Sequence, residues 1–347
     1  MSMDYDQIAK IAQKYIEDRP VVVLGCGASI PQGLPSMSGL AEELLDRISL
    51  HEDSWTTFRE KLEETKDLEK ALHDVELNEP VLKQVVEETW KITAEKDILV
   101  YNRIIAGSQS LVLTRLFQFL LRTANPQVSV VTTNYDRLAE FAANMASAEV
   151  RTGFTSGWIK RFVSEGFPTQ GHRLNPGFEG EIHVLKVHGS LDWFLSPANE
   201  PVAVPLAREI PEGFQPLIVT PGVTKYREVH KDPFRTVMSK SDSILKRARC
   251  FLCIGFGFND EHVQPILVSR VRRDNIPIII VTKELTPAAR KAFIERPPVK
   301  YFIVEEHEKG TIVYCPEIPT GQQLEGRELW SLPGFMELLL GEKGEMQ

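Results

Sequence analysis

Residues 21–29 read Val-Val-Val-Leu-Gly-Cys-Gly-Ala-Ser, a β-branched run that opens directly into a glycine turn. Pro20 marks the start of the run, and four apolar residues without alternation predict a short strand buried on both faces. After the turn, Leu40, Ala41, Leu44, Leu45 and Ile48 recur at helical spacing, with Ser36 or Ser38 placed as the helix cap.

Further along the chain the same texture returns. Runs at Val128–Thr132, Ile182–Val187, Leu217–Thr220, Cys250–Gly255, Ile276–Val281 and Tyr301–Val304, several of them continuously apolar, read as strands. Helical patterns at Tyr135–Met145, Ser239–Arg249, Asp260–Arg272 and Thr286–Glu295 separate most of them. This alternation predicts an α/β fold, a Rossmann-like, doubly wound and mostly parallel sheet. The strand-like Ile312–Tyr314 and a short helix at Phe335–Leu340 are expected at its edge, and the Gly- and Pro-rich stretches Thr152–Gly180 and Ser196–Pro216 as loops. Residues 50–127 differ in character: charged helical patterns (Phe58–His73, Pro80–Trp90, Ile98–Arg122) with few glycines and no strand. They read as a large helical insertion or lid, which leaves residues 1–49 and 128–347 as the core.

Composition bounds the function. A net charge of -8 argues against a broad nucleic-acid surface, and the small cluster Lys246, Arg247 and Arg249 reads as a solvated helix face. No stretch approaches the ~20 apolar residues of a membrane span, and the start of the chain lacks the features of a secretory signal. Four cysteines do not make a disulfide framework, so a cytoplasmic setting is expected. Cys250 and Cys253 form a lone C-x-x-C, but residues three apart in a strand point to opposite faces, and no second pair completes a metal set. No metal is expected.

Four strand-end sites carry polar groups. At Gly25-Cys-Gly27-Ala28-Ser29 the glycines let backbone approach a pyrophosphate, with a helix start adding roughly 0.3–1 kcal/mol toward an anion. It is neither the dehydrogenase fingerprint nor a P-loop. Thr132-Thr133-Asn134-Tyr135-Asp136 ends the second strand; Asn134 can hold a hydroxyl or water, and Asp136 can orient it or cap the next helix. His188-Gly189-Ser190 follows the third run, placing an imidazole suited to general-base work at a strand end. Gly255-Phe-Gly257-Phe-Asn259-Asp260 repeats the turn logic, with Asn259 or Asp260 capping a helix, contacting a ribose, or both.

In this order the motifs resemble those of the sirtuins. Residues 25–29 look like the family's Gly-Ala-Gly-Ala-Ser, and Gly33-Leu34-Pro35 is similar to its Gly-Ile-Pro. Residues 132–136 resemble Thr-Gln-Asn-Ile-Asp, His188-Gly189 matches His-Gly, and Gly255-Phe-Gly257 stands where Gly-Thr-Ser is usual. The resemblance implies cleavage of the nicotinamide–ribose bond of NAD. It implies Asn134 orienting the ribose or a water with Asp136 in support, and His188 as the base. It further implies Gly25, Gly27, Ala28, Ser29, Pro35, Thr133, Ser190, Gly255, Gly257, Asn259 and Asp260 around the ligand.

The chain departs from the deacylases. No cysteine lies between Gly189 and Arg249, so the zinc ribbon is expected to be absent, and Ser36-Met37-Ser38 stands near the position of the family's Phe-Arg. These departures, the insertion, Leu217-Ile-Val-Thr-Pro221 and residues 255–260 resemble the bacterial sirtuin-like NAD hydrolases of anti-phage defence. That branch implies water as the acceptor, nicotinamide and ADP-ribose as products, a homo-oligomer, and a separate regulatory partner such as a HerA-type ATPase or an Argonaute-like protein. The alternatives are an NAD-dependent protein deacylase or ADP-ribosyl transferase, and a non-catalytic NAD or ADP-ribose sensor.

Overall fold

The computed structural model describes residues 3–65, 68–122, 126–164, 166–167, 174–219 and 231–341. In chain order the strands are β1 (Val21–Leu24), β2 (Gln127–Thr132), β3 (Ala148–Arg151), β4 (Lys160–Arg161), β5 (Gly180–Lys186), β6 (Gly189–Leu195) and β7 (Pro201–Ala203). They continue with β8 (Gln215–Ile218), β9 (Phe251–Ile254), β10 (Ile278–Thr282), β11 (Tyr301–His307), β12 (Gly310–Cys315) and β13 (Ile318–Glu325). The helices are α1 (Tyr5–Ile16), α2 (Met37–Arg47), α3 (Asp53–Thr65), α4 (Leu68–Asp74), α5 (Glu79–Ile105) and α6 (Val112–Leu121). After these come α7 (Leu138–Met145), α8 (Phe234–Arg247), α9 (Val263–Arg273), α10 (Pro287–Phe293) and α11 (Leu332–Leu340).

A nine-stranded sheet has the order β13-β12-β11-β10-β9-β1-β2-β5-β3. The seven strands from β11 to β3 pair in parallel, and β12 and β13 add an antiparallel edge. From β1 the chain builds outward through β2 on one side and returns to β9 on the other, so the strand order reverses between β1 and β9. Open α/β sheets bind ligands beyond the carboxyl ends of their strands at such a point. Alternation along β1 divides the core: Val22 and Leu24 join α1, α6, α7 and α11 on one face, while Val21 and Val23 join α8, α9 and α10 on the other. Each fully buried valine or leucine in such a strand stabilises by roughly 1.5–3 kcal/mol, which explains the unbroken apolar runs. No described helix is long and apolar enough to cross a membrane.

Several sequence expectations shift. The run Leu217–Thr220 is not a strand of the parallel sheet. Its first two residues end β8, which belongs to a separate antiparallel sheet of order β4-β7-β6-β8; Thr220 and Pro221 lie outside the described residues. A short apolar run looks the same in either kind of sheet, so periodicity could not place it. Residues 196–216, expected as loop, contain β7 and the start of β8, and β3, β6 and β13 were not anticipated. The pattern Phe58–His73 is split into α3 and α4. Conversely Pro80–Trp90 runs on through Ile98 as the 27-residue α5, started by an Asn78 cap on the Val81 N–H.

The helices after β1 form two groups. Residues of α2, α3, α4 and the first half of α5 close a small core of their own around Trp55, Phe58 and Leu62. Val100 and Ile104 at the far end of α5, and Leu113, Leu116 and Phe117 of α6, instead pack on the main sheet.

Candidate active site

The turns after β1 and β9 touch backbone to backbone. Gly27 N donates to Gly255 O at 3.1 Å, and Gly25 N to Ile254 O at 3.1 Å. A Cβ on Gly27 would stand 2.7 Å from Gly255 Cα, and one on Gly25 would stand 2.6 Å from Phe256 Cα. The glycines of the first motif thus serve the contact between turns as much as any ligand. Ser36 caps α2 by accepting from Gly39 N at 3.0 Å, which fixes the segment carrying Pro35.

From β2, Thr132 Oγ1 donates to Leu24 O at 3.0 Å and accepts from Asn134 N at 3.1 Å, tying the loop back to β1. Asn134 spends both amide hydrogens inward, on Gly25 O at 2.9 Å and Ser29 Oγ at 3.1 Å. What it has left to offer is its carbonyl oxygen, an acceptor. The buried Asp136 accepts from Ser29 Oγ at 2.8 Å through Oδ2 and from Leu138 N at 3.1 Å through Oδ1. It therefore holds the turn and starts α7 at once. Beneath it Lys186 is fully buried, with its ammonium on the Asp136 carbonyl and 3.2 Å from Glu140. Burial pushes the Glu140 carboxyl up despite that cation.

His188 follows β5 and is buried. Its Nε2 lies 2.9 Å from Asp260 Oδ2, while Asp260 Oδ1 accepts from His262 N and Val263 N at 3.0 and 2.8 Å at the start of α9.

One helix braces these loops from outside. From α5, Asp97 accepts from Arg137 N, Nε and Nη2 at 2.7, 3.0 and 2.7 Å, directly after Asp136. Arg103 donates to Gln32 O at 2.9 Å after the first turn, and Trp90 Nε1 to Leu191 O at 2.8 Å after His188. Burial raises the Asp97 carboxyl even against the opposing charge and N–H groups of Arg137.

A cavity of about 160 Å3 collects these groups: Gly25, Ser29, Pro35, Thr133, Asn134, Asp136, His188, Gly257, Asn259 and Asp260 all line it. A cleft of about 810 Å3 adjoins it, sharing Cys26, Phe256 and Gly257, and takes in Gly27, Ala28 and Gly255. Ser190 does not join them. It is fully buried and donates to Asp192 at 2.5 Å, because β6 turns it away from the cavity. Gly189 sits at φ 88° against β8, where a Cβ would stand 3.0 Å from Ile218 Cα. Sequence reasoning missed Cys26, Phe256 and Thr93. The last has a legible signal, since Thr89, Thr93 and Asp97 form a buried polar stripe at four-residue spacing on α5.

Cys250 and Cys253 pack into the cores on opposite faces of the sheet, so they do not converge on one ion. Among the described residues no group of three or more His, Cys, Asp or Glu is arranged to hold a metal.

Residues 128–302 match the model of a SIR2-like domain. No curated protein matches the chain by sequence. Solved structures similar to it include a Sir2 homologue in complex with NAD, at 17% identity and a TM-score of 0.47, covering 87% of this chain and 88% of that one. Another is a mutant Sir2 homologue with ADP-ribose, at 19% identity and 0.46, covering 84% and 89%. The domain match spans just over half of the chain, which belongs to the SIR2-like domain family.

Proposed function

We propose that the chain hydrolyses NAD at the nicotinamide–ribose bond. The observation that carries this reading is the convergence of Asn134, Asp136 and His188, from neighbouring strand ends, on one small cavity beside a cleft bounded by two glycine turns. The larger cleft suits the adenosine diphosphate portion, and the cavity suits the nicotinamide and its ribose. As the C–N bond breaks, its electron pair leaves with nicotinamide and positive charge grows on the ribosyl carbon, which nearby carboxylates stabilise. Asn134 presents its carbonyl oxygen to a water, His188 accepts the proton that water loses, and the oxygen's electron pair forms the new bond to give ADP-ribose.

Nicotinamide release from NAD by the purified chain tests this. His188→Ala and Asn134→Ala are each expected to lower the rate by about 10²-fold or more, with the Asn134 variant also melting lower for the loss of its two inward hydrogen bonds. Undiminished release in both would refute the mechanism.

The restraint that an NAD-depleting enzyme needs points to an effector of anti-phage defence in the cytoplasm. Its expected regulators are self-assembly and a separate partner such as a HerA-type ATPase. The bracing of three site loops by α5 supports such control, since a protein gripping α5 would act on all of them. Light scattering on the purified chain is expected to show an assembly larger than a monomer.

Cys26 offers an independent probe of occupancy. It is the exposed thiol, whereas burial pushes Cys315 up to about 11 and raises Cys250 and Cys253 as well. One thiol per native chain is expected to react quickly with an aromatic disulfide reagent near pH 8, and ADP-ribose should slow it because Cys26 lines both cavities. Equal rates with and without ADP-ribose would place the ligand elsewhere.

A further inference from the structure

The described contacts of Asp260 serve two tasks. Its Oδ1 caps α9 through His262 N and Val263 N, and its Oδ2 stands 2.9 Å from His188 Nε2. Both side chains are more than nine-tenths buried, at 7% exposure for His188 and 6% for Asp260. Although the distance is that of a hydrogen bond, Nε2 is enclosed and makes none, because Oδ2 lies off the direction an Nε2–H would take. Native proteins keep few buried polar atoms in that condition, and those they keep call for a reason. Hydrogen bonds of catalytic groups are often misaligned without substrate and tighten when it binds. Only the angle has to change here.

Asp136, the carboxylate that the sequence placed in support of catalysis, accepts from Ser29 Oγ and Leu138 N, and no described hydrogen bond or ion pair joins it to His188. Asp260 comes instead from the turn after β9, on the far side of the reversal point, and its cap on α9 holds it in place.

We propose that Asp260 is a positioning residue for His188: its carboxylate keeps the proton of the neutral imidazole on Nε2, so that Nδ1 receives the proton from the attacking water or ribose hydroxyl. The inference rests on the hydrolase reading and deepens it. In the step, the O–H bond breaks, its electron pair stays on oxygen, the proton forms a bond to Nδ1, and Asp260 balances the imidazolium that results. A carboxylate that fixes the tautomer and stabilises the charged ring is a recurrent way of organising a histidine base.

Asp260→Asn separates the two tasks, because asparagine caps a helix about as well as aspartate but carries no charge. The variant is expected to melt with the parent and to keep KM for NAD within about twofold, while kcat for nicotinamide release falls about 10²-fold. Asp260→Ala, which also loses the cap, should melt lower. In protein labelled with ring 15N-histidine, the His188 resonances are identified by their loss in His188→Ala. They should show the proton on Nε2 in the parent and a shift toward Nδ1 in Asp260→Asn. Parental kcat in Asp260→Asn beside an inactive His188→Ala would overturn the proposal and leave the hydrolase reading standing. If His188→Ala itself still releases nicotinamide, that reading fails, and the nitrogen spectrum decides the pairing alone: unchanged His188 shifts overturn it.

Discussion

Asp97→Ala is expected to destabilise the chain by about 3–5 kcal/mol and to abolish NAD cleavage, although Asp97 lines neither cavity. Asp97 is fully buried and supplies both oxygens to Arg137, whose guanidinium is itself nearly enclosed. Removing the carboxylate leaves a buried cation without its counter-charge, and Nη1 of Arg137 already lacks a partner. The cost falls on the chain segment that carries Asn134 and Asp136, because Arg137 is the next residue and its backbone N–H is also held by Asp97. Thermal melting and nicotinamide release check the two halves of the expectation. Arg137→Met in the Asp97→Ala background should recover part of the lost stability, since an apolar pair avoids the stranded charge. A double variant that melts no higher than Asp97→Ala would show that the ion pair is not what the loop depends on.

Gly255→Ala and Gly257→Ala, two residues apart in one turn, are expected to behave oppositely. Gly255 sits at φ +55°, and a Cβ there would stand 2.5 Å from Gly27 Cα, so the two turns would have to part. Left-handed strain alone costs on the order of 1–3 kcal/mol, and the backbone displacement adds to it. The variant should melt markedly lower and lose nicotinamide release, because both turns bound the site. At Gly257 a Cβ would meet Thr286 Cγ2 at 3.4 Å and Asn259 Nδ2 at 3.7 Å, which are ordinary contacts. Gly257→Ala should therefore keep the parental melting temperature, and any loss should appear in KM for NAD, since Gly257 lines both the cavity and the cleft. A marked drop in the melting temperature of Gly257→Ala, or parental stability in Gly255→Ala, would reverse the assignment of packing and ligand roles between these glycines.

These two expectations mark where local sequence stops being informative. The strands β1, β9 and β10 were readable because a strand buried on both faces is mostly apolar. Strands β2, β5 and β11 were readable although β5 buries Glu181, His183 and Lys186, and the helices between them carry a four-residue rhythm. Caps at Ser36 or Ser38 and at Asn259 or Asp260 were readable because capping is a contact between near neighbours, and the structure gives them to Ser36 and Asp260. By contrast β6 and β8 join in an antiparallel sheet that also includes β4 and β7, and nothing in the run 217–220 distinguishes that sheet from the parallel one. Ser190 illustrates the same limit: it follows His188–Gly189, yet the alternation of β6 turns it toward Asp192.

The sequence by itself determined the α/β alternation, the glycine turns at strand ends, and the placement of Asn134, Asp136 and His188 directly after strand runs. It could do so because those features depend on periodicity and on neighbours within a few positions. Only the tertiary structure decided that Gly25 and Gly27 are pressed against Gly255, that Asp97 of α5 holds the Asn134 loop, and that Asp260 rather than Asp136 faces His188. Each of these joins positions 40 or more residues apart. Such contacts arise from the order in which strands enter the sheet, with the chain leaving β1 on one side and returning to β9 on the other, and that order is set by the packing of the whole chain.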